Sequence, residues 1–179
     1  PHDALDRLQS FEHRPGVLDE TVVVELARDV RQPSPHVLRD EAEDALNLPK
    51  GKYEIPLMLF DRFLRADGQL EYPVSGDPKS PWVPEVYSNV MLANGKLFPY
   101  LDVEPRKYRF RVMNGSNTRF FRLSFGDLIE MQVIGSDQGL LEAPVKAKRA
   151  LLSPAERSDI VFDFSAHAGE KIILKSDSF

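Results

Sequence analysis

From Tyr53 to Phe179 the chain is a succession of short apolar runs cut by turn-forming residues, and that texture limits its fold more than any other feature. Tyr108, Phe110 and Val112 alternate with Arg109 and Arg111. Side chains along a strand point to opposite faces in turn, so this spacing predicts a half-buried strand with its aromatics inward and its arginines in water. Tyr53 to Leu64, Phe120 to Phe125, Glu130 to Ile134, Ala147 to Leu152, Asp159 to Phe164 and Lys171 to Leu174 read as further strands. Val90 to Ala93 and Lys96 to Phe98 flank Asn94-Gly95, a pair that tolerates the positive φ angles of a type I′ hairpin turn. Asp67-Gly68, the Pro73–Pro84 loop around Trp82, Glu104–Lys107, Asn114–Asn117 and Ser136–Gly139 supply the other breaks, in a chain with 14 prolines. About nine or ten short strands over this span predict an all-β fold, an antiparallel two-sheet sandwich.

The first fifty residues read differently. Asp3 is placed to cap a short helix carrying Leu5, Leu8 and Phe11, which Pro15-Gly16 breaks. Thr21 to Leu26 is a β-branched run that reads as a strand or, continued through Arg28, as a helix. Gln32-Pro33-Ser34-Pro35 is a stiff linker, and the acidic segment Arg39 to Leu46 has room for one or two helical turns before Pro49. The expected layout is therefore a partly helical N-terminal extension over 1–36, a linker over 37–52 and the sandwich over 53–179. The chain opens on Pro1-His2-Asp3, which suits an excised or processed piece.

Composition removes several functions. There is no cysteine, so blue-copper, iron–sulfur and thiolate-zinc centres lack their sulfur ligand, and thiol catalysis is excluded. His2, His13, His36 and His167 form no His-x-His or His-x-x-x-His pair and read as solvated surface groups. A net charge of -5 and the absence of a long apolar run point away from nucleic acid and membrane as partners. Basic and aromatic residues do interleave at Arg106–Arg111 and Arg119–Arg122. Strand alternation, however, puts rings and guanidiniums on opposite faces, where a stacking platform needs them together. Among the carboxylates, Asp137, Glu156, Asp159 and Asp163 show no spacing that selects an acid/base pair. Glu156-Arg157 reads as an ion-pairing turn, and no catalytic, cofactor or metal residue is assigned to this chain.

The same turns and strands carry a resemblance. Gly51 to Leu57 leading to Asp61-Arg62, Asn94-Gly95-Lys96 to Pro99, Val103 to Arg111 and Asn114 to Arg119 resemble the multicopper oxidases. Gly135 to Leu141 and Ser153 to Asp159 do so as well. In order and spacing, over about residues 38–177, these segments look like the middle cupredoxin domain of the bacterial three-domain group that includes spore-coat laccase, bilirubin oxidase and phenoxazinone synthase.

The resemblance implies a cupredoxin-like Greek-key sandwich. It also implies a parent enzyme in which the first and third domains hold copper, through Cys and His for the type 1 site and His-x-His pairs for the trinuclear cluster, while the middle domain bridges them. On that reading the chain carries no copper of its own, its partners are the copper-bearing cupredoxin domains, and alone it oxidises nothing. Val37 to Asp40 resembles the end of the family's first domain, but the neighbourhood where that domain carries a His-x-His is here Gly16-Val17-Leu18-Asp19-Glu20. Residues 1–36 are thus an alternative N-terminus, a misjoined segment or a remnant. The matched Asn94, Gly95, Asn114, Asn117 and Glu156–Asp159 suit scaffold roles, and a bridging domain should expose apolar surface, with Trp82 and Phe98 as candidates. The rival expectation is an independent cupredoxin-fold interaction module that forms a homo-oligomer through its N-terminal arm.

Overall fold

The computed structural model describes residues 22–24 and 37–177. The expected helix over 3–11, the Pro-rich linker, His2, His13 and His36 lie outside the described residues.

The elements run β1 (Val22–Val24), α1 (Glu41–Ala45), a 3-10 turn (Gly51–Tyr53), β2 (Glu54–Leu64), β3 (Leu70–Glu71), β4 (Val90–Ala93) and β5 (Leu101–Val103). They continue as β6 (Lys107–Asn114), β7 (Phe121–Ser124), β8 (Met131–Ser136), β9 (Gly139–Ala147), β10 (Ala150–Leu152), β11 (Arg157–Asp163), β12 (Lys171–Ile172) and β13 (Lys175–Ser176). The chain is a β-sandwich. One layer is a seven-stranded sheet in the order β3-β2-β6-β11-β8-β9, with β4 also paired to β2. The other is built from two three-stranded ladders, β10-β7-β13 and β12-β1-β5. Most pairs are antiparallel, but β2 runs parallel to β6 and β1 parallel to β12. Among the described residues no helix is long and apolar enough to cross a membrane.

The core forms where the inward faces of the two layers meet. Phe110 of β6, Ile160 and Phe162 of β11, Leu57 of β2 and Met131 of β8 meet Phe121 and Leu123 of β7, Leu152 of β10 and Ile172 of β12. Phe162 sits edge-on to Phe110 at 5.2 Å and to Phe125 at 4.9 Å, the ring geometry favoured by the aromatic quadrupole.

Several sequence expectations are corrected. The Asn94-Gly95 turn forms, with φ of 48° and 77°, but Lys96–Phe98 is not a strand. β4 pairs with β2 instead. The Asn94 side chain takes over the ladder there, accepting from the Met58 N–H at 2.7 Å and donating to the Pro56 carbonyl at 2.9 Å. The expected strand over Ala147–Leu152 is broken at Lys148-Arg149, and β9 before it is a long edge strand with every residue from Gly139 to Lys146 exposed. An edge strand with no buried face, holding a Pro144 that needs no ladder partner, lacks the apolar alternation that marks a strand in sequence. Lys171–Leu174 shortens to Lys171–Ile172, with a separate β13 beyond it. Val22–Val24 takes the strand alternative, between β5 and β12. The largest correction concerns the outer face of β6: Arg109 is not in water but fully buried.

Candidate functional site: a charge cluster under the linker

The register of the large sheet builds this site. Glu54 of β2 lies beside Arg109, and Asp159 of β11 lies opposite Arg111. All four side chains share the outer face, so two arginines on β6 are flanked by a carboxylate on each neighbouring strand. The linker closes the cluster from above. Asp40 caps α1 by accepting from the Glu43 N–H at 2.7 Å, and that turn aims Glu43 at the sheet.

Arg109 Nε donates to Asp159 Oδ1 at 2.9 Å and Oδ2 at 3.0 Å, its Nη2 also reaches Asp159, and its Nη1 donates to Glu43 Oε1 at 2.7 Å. Arg111 donates through Nη2 to the same Glu43 oxygen at 2.6 Å, through Nε to Glu54 Oε1 at 2.6 Å and through Nη1 to Asp159 Oδ2 at 3.4 Å. Arg39 closes the ring onto Glu54 Oε2 at 2.5 Å. Three guanidiniums thus meet three carboxylates, and no buried side-chain nitrogen or oxygen among the described residues lacks a partner. Burial alone would favour a neutral Arg109, yet the Asp159 and Glu43 carboxylates outweigh it and raise its pKa further. Glu54 follows the same balance: burial pushes its carboxyl up, and Arg111 and Arg39 hold it below the ordinary value.

A second polar node ties the loops at one end of β2. Asp61 Oδ2 accepts from the Ser88 N–H at 2.8 Å and from Arg119 Nε at 2.9 Å, while Arg119 Nη2 donates to the Ser88 carbonyl at 3.0 Å. Burial pushes the Asp61 carboxyl up, and the Ser88 N–H and Arg119 overcome it, so Asp61 stays ionised to lower pH than usual. Asn114 does the loop-tying expected of it, donating through Nδ2 to the carbonyls of Arg119 at 2.7 Å and Leu152 at 3.0 Å. Asn117 instead reaches a side chain, the Tyr72 hydroxyl, at 3.4 Å.

The four weighed carboxylates are not brought together. Asp137 binds Arg157, Glu156 accepts from the Ser153 N–H and hydroxyl, Asp159 belongs to the arginine cluster, and Asp163 accepts from Ser165. Glu156 and Arg157 are therefore not each other's partners. His167 sits in its turn with Nδ1 2.9 Å from Glu170. Sequence reasoning missed Glu43, Glu54 and Arg39 as partners of Arg109 and Arg111; the signal was there, an acidic helical turn feeding directly into a strand that neighbours two same-face arginines.

Apolar surface gathers elsewhere. A groove of about 510 Å³ opens between β4 and β13, lined among others by Met91, Phe98, Pro99, Leu123 and Ile173. Phe98, 71% exposed, holds a left-handed backbone at φ 44° on its rim, and Trp82 is 64% exposed. The donor set does not fit a type 1 copper centre. There is no thiolate in the chain, and the described residues contain no group of three His, Cys, Asp or Glu side chains placed to hold a metal ion.

Comparison with known proteins bears on this arrangement. The multicopper oxidase family model matches residues 54–173. The chain is 46% identical over 152 residues to a laccase of Bacillus subtilis, covering 80% of this chain and 29% of that protein. It is 40% identical over 149 residues to a bilirubin oxidase of Albifimbria verrucaria, covering 79% and 25%. The crystal structure of a laccase from Pediococcus acidilactici superposes with a TM-score of 0.67 at 36% identity, over 78% of this chain and 30% of that one. The chain therefore spans less than a third of the length of these relatives. With 120 of its residues in register with the family model, counted inclusively from 54 to 173, the chain belongs to the multicopper oxidase family.

Proposed function

We propose that this segment is the non-catalytic middle cupredoxin domain of a laccase-like multicopper oxidase, a scaffold that bridges the two copper-bearing domains. In the parent enzyme, phenolic or similar donors are oxidised and O2 is reduced to water at coppers held outside these residues. The observation that carries the reading is the pairing of a family match over 54–173 with a chain that has no cysteine at all. A type 1 centre needs a thiolate, so a cupredoxin fold without one has kept the sandwich and not the site. Among the polar groups that the family motifs contribute here, Asp61, Asn94, Asn114 and Glu156 are engaged in holding loops and strands. The exposed groove beside Phe98 supplies the kind of apolar surface that an interdomain contact covers.

The rival reading, an oligomer through the N-terminal arm, is disfavoured by β1, which is seated between β5 and β12 of its own chain. The purified chain is to be incubated with copper, desalted, and assayed for bound metal, for the blue thiolate–copper band and for turnover of a phenolic donor. The expected result is negligible retained copper and no turnover. One copper retained per chain, or measurable oxidation, overturns the proposal.

A further inference from the structure

We propose that residues 37–53 act as a strap whose hold on the sandwich depends on an ionic latch centred on Glu43. The inference concerns a conformational device of this chain and stands whether or not the segment serves an oxidase. It rests on an asymmetry between the two ends of the strap.

At the C-terminal end the attachment is redundant. Tyr53 packs edge-on against Tyr108 at 5.4 Å, lies 3.7 Å beneath the Arg106 guanidinium, and donates its hydroxyl to Glu104 Oε2 at 3.0 Å. Lys52 pairs with the same Glu104. At the N-terminal end nothing comparable exists. Over residues 38–47 Glu43 alone is not exposed, and α1 buries no apolar side chain against the sheet. Leu38 and Leu46, the large apolar residues of that stretch, are 77% and 56% exposed. Hydrophobic burial, the usual fastening of a helix, therefore contributes little here.

Charge does the fastening instead. One Glu43 oxygen accepts from both Arg109 and Arg111, and Arg39 adds its bond to Glu54. The groups facing Glu43 are Arg39 on its own segment, Arg109 and Arg111 on β6, and, through those arginines, Glu54 on β2 and Asp159 on β11. Without the Glu43 charge three guanidiniums face two carboxylates, and the excess positive charge is relieved by letting water in. The strap then lifts at 38–47 while Tyr53 keeps its root in place. Lifting uncovers Arg109 and Arg111.

The test compares Glu43→Gln with wild type and with Asp44→Asn, which removes the carboxylate of the exposed Lys50 pair on the same helical turn. Two readouts are taken on the full chain: amide hydrogen exchange, and labelling of arginines with phenylglyoxal. In Glu43→Gln, exchange over 40–47 rises at least about tenfold and Arg109 and Arg111 become reactive, while amides of β6 and β11 keep their protection. Asp44→Asn changes neither readout. Unchanged exchange and labelling in Glu43→Gln overturns the latch. So does a parallel rise in exchange across β6 and β11, which makes Glu43 a general stability residue, or an Asp44→Asn variant that lifts the strap equally.

Discussion

The inner and outer faces of β6 are both closed to solvent around Phe110 and Arg109, and they are closed by different physics. Inward, Tyr108, Phe110 and Val112 enter a core of aromatic and aliphatic side chains, each worth about 1.5–3 kcal/mol for leaving water, with edge-on ring contacts adding to it. Outward, Arg109 gives up its hydration for carboxylates on β11 and the linker. Coulomb attraction there is largely offset by the desolvation of six charged groups, so the cluster gives the protein less net stability than its count of hydrogen bonds suggests. What it gives instead is placement, because a carboxylate in the wrong position leaves a buried charge unpaired. The core accepts any well-shaped apolar neighbour; the outer face accepts one arrangement of the linker.

The widest separation between the faces should come from Phe110→Ala. Phe110 is fully buried and packs edge-on against the Phe162 ring of β11, so its truncation is expected to cost about 3–5 kcal/mol in urea unfolding. Arg109→Met, which keeps the bulk and removes the charge, should cost about 2–3 kcal/mol, at the low side for breaking a buried pair because Arg111 remains beside Asp159. Combining it with Asp159→Leu should then recover part of the loss, by at least about 1 kcal/mol relative to the sum of the single changes. Strict additivity of the two would mean that the outer face is a set of independent surface charges.

Acid sharpens the same comparison. Glu54 and Asp61 both ionise at lower pH in the folded chain than when unfolded. A depressed carboxyl contributes stability that is complete above its unfolded value of about 4 and is lost as pH falls through its folded value. Lowering the pH from neutral to about 3 should therefore weaken wild type through these outer-face and loop groups, with the core untouched. Asp61→Asn starts from lower stability and should lose less over the same interval, read as the shift of the urea midpoint. An equal acid-induced shift in both proteins would show that Asp61 carries none of the pH dependence.

How far the sequence reveals these faces depends on which physical signal each one writes. Period-2 alternation placed Tyr108, Phe110 and Val112 inward without error, because burial of alternate side chains is a local pattern. It sent Arg109 and Arg111 to water, because alternation states which way a residue points and is silent on what arrives from elsewhere in the chain. The covering group, Glu43, is 66 residues away from Arg109. The Asn94-Gly95 turn was legible from its φ requirement, yet the identity of its strand partner was not, since pairing of β4 with β2 depends on distant register. β9 left no trace because an edge strand without a buried face has no alternation to show. The polar nodes around Asp61 and Asn114 were legible only as motif positions, and their partners came from the fold.

Gly135 tests how tightly the outer face is specified. A Cβ at this position would stand 3.0 Å from the Asp159 Cβ and 3.0 Å from the Gly139 carbonyl oxygen, the latter being backbone that cannot swing aside. β8 and β11 also shift register next to this point. Gly135→Ala should cost about 1–2 kcal/mol by overpacking and should displace Asp159 from Arg109, so that phenylglyoxal reactivity of Arg109 rises as well. If stability falls while that reactivity stays at zero, the bulge absorbs the methyl group and the cluster tolerates more than one arrangement.

The smallest expected effect has the opposite sign. Ala155 holds a left-handed backbone at φ 67°, where an L side chain crowds the following carbonyl. It cannot relax, since its N–H donates to the Asn114 carbonyl at 2.9 Å, the Asn114 N–H donates to the Glu156 carbonyl at 3.0 Å, and the Glu156 N–H closes the turn on the Ser153 carbonyl at 3.0 Å. Pro154 before it and positive φ at Ala155 make the pattern of a type II turn, in which glycine is the favoured third residue. Ala155→Gly removes the crowding and gives back some of it as unfolded-state entropy, leaving a net gain of about 0.5 kcal/mol in the urea midpoint. Because this turn leads into Arg157 and Asp159 of β11, a loss instead of a gain would mean that the Ala155 methyl group helps set the register of the strand that carries the charge cluster.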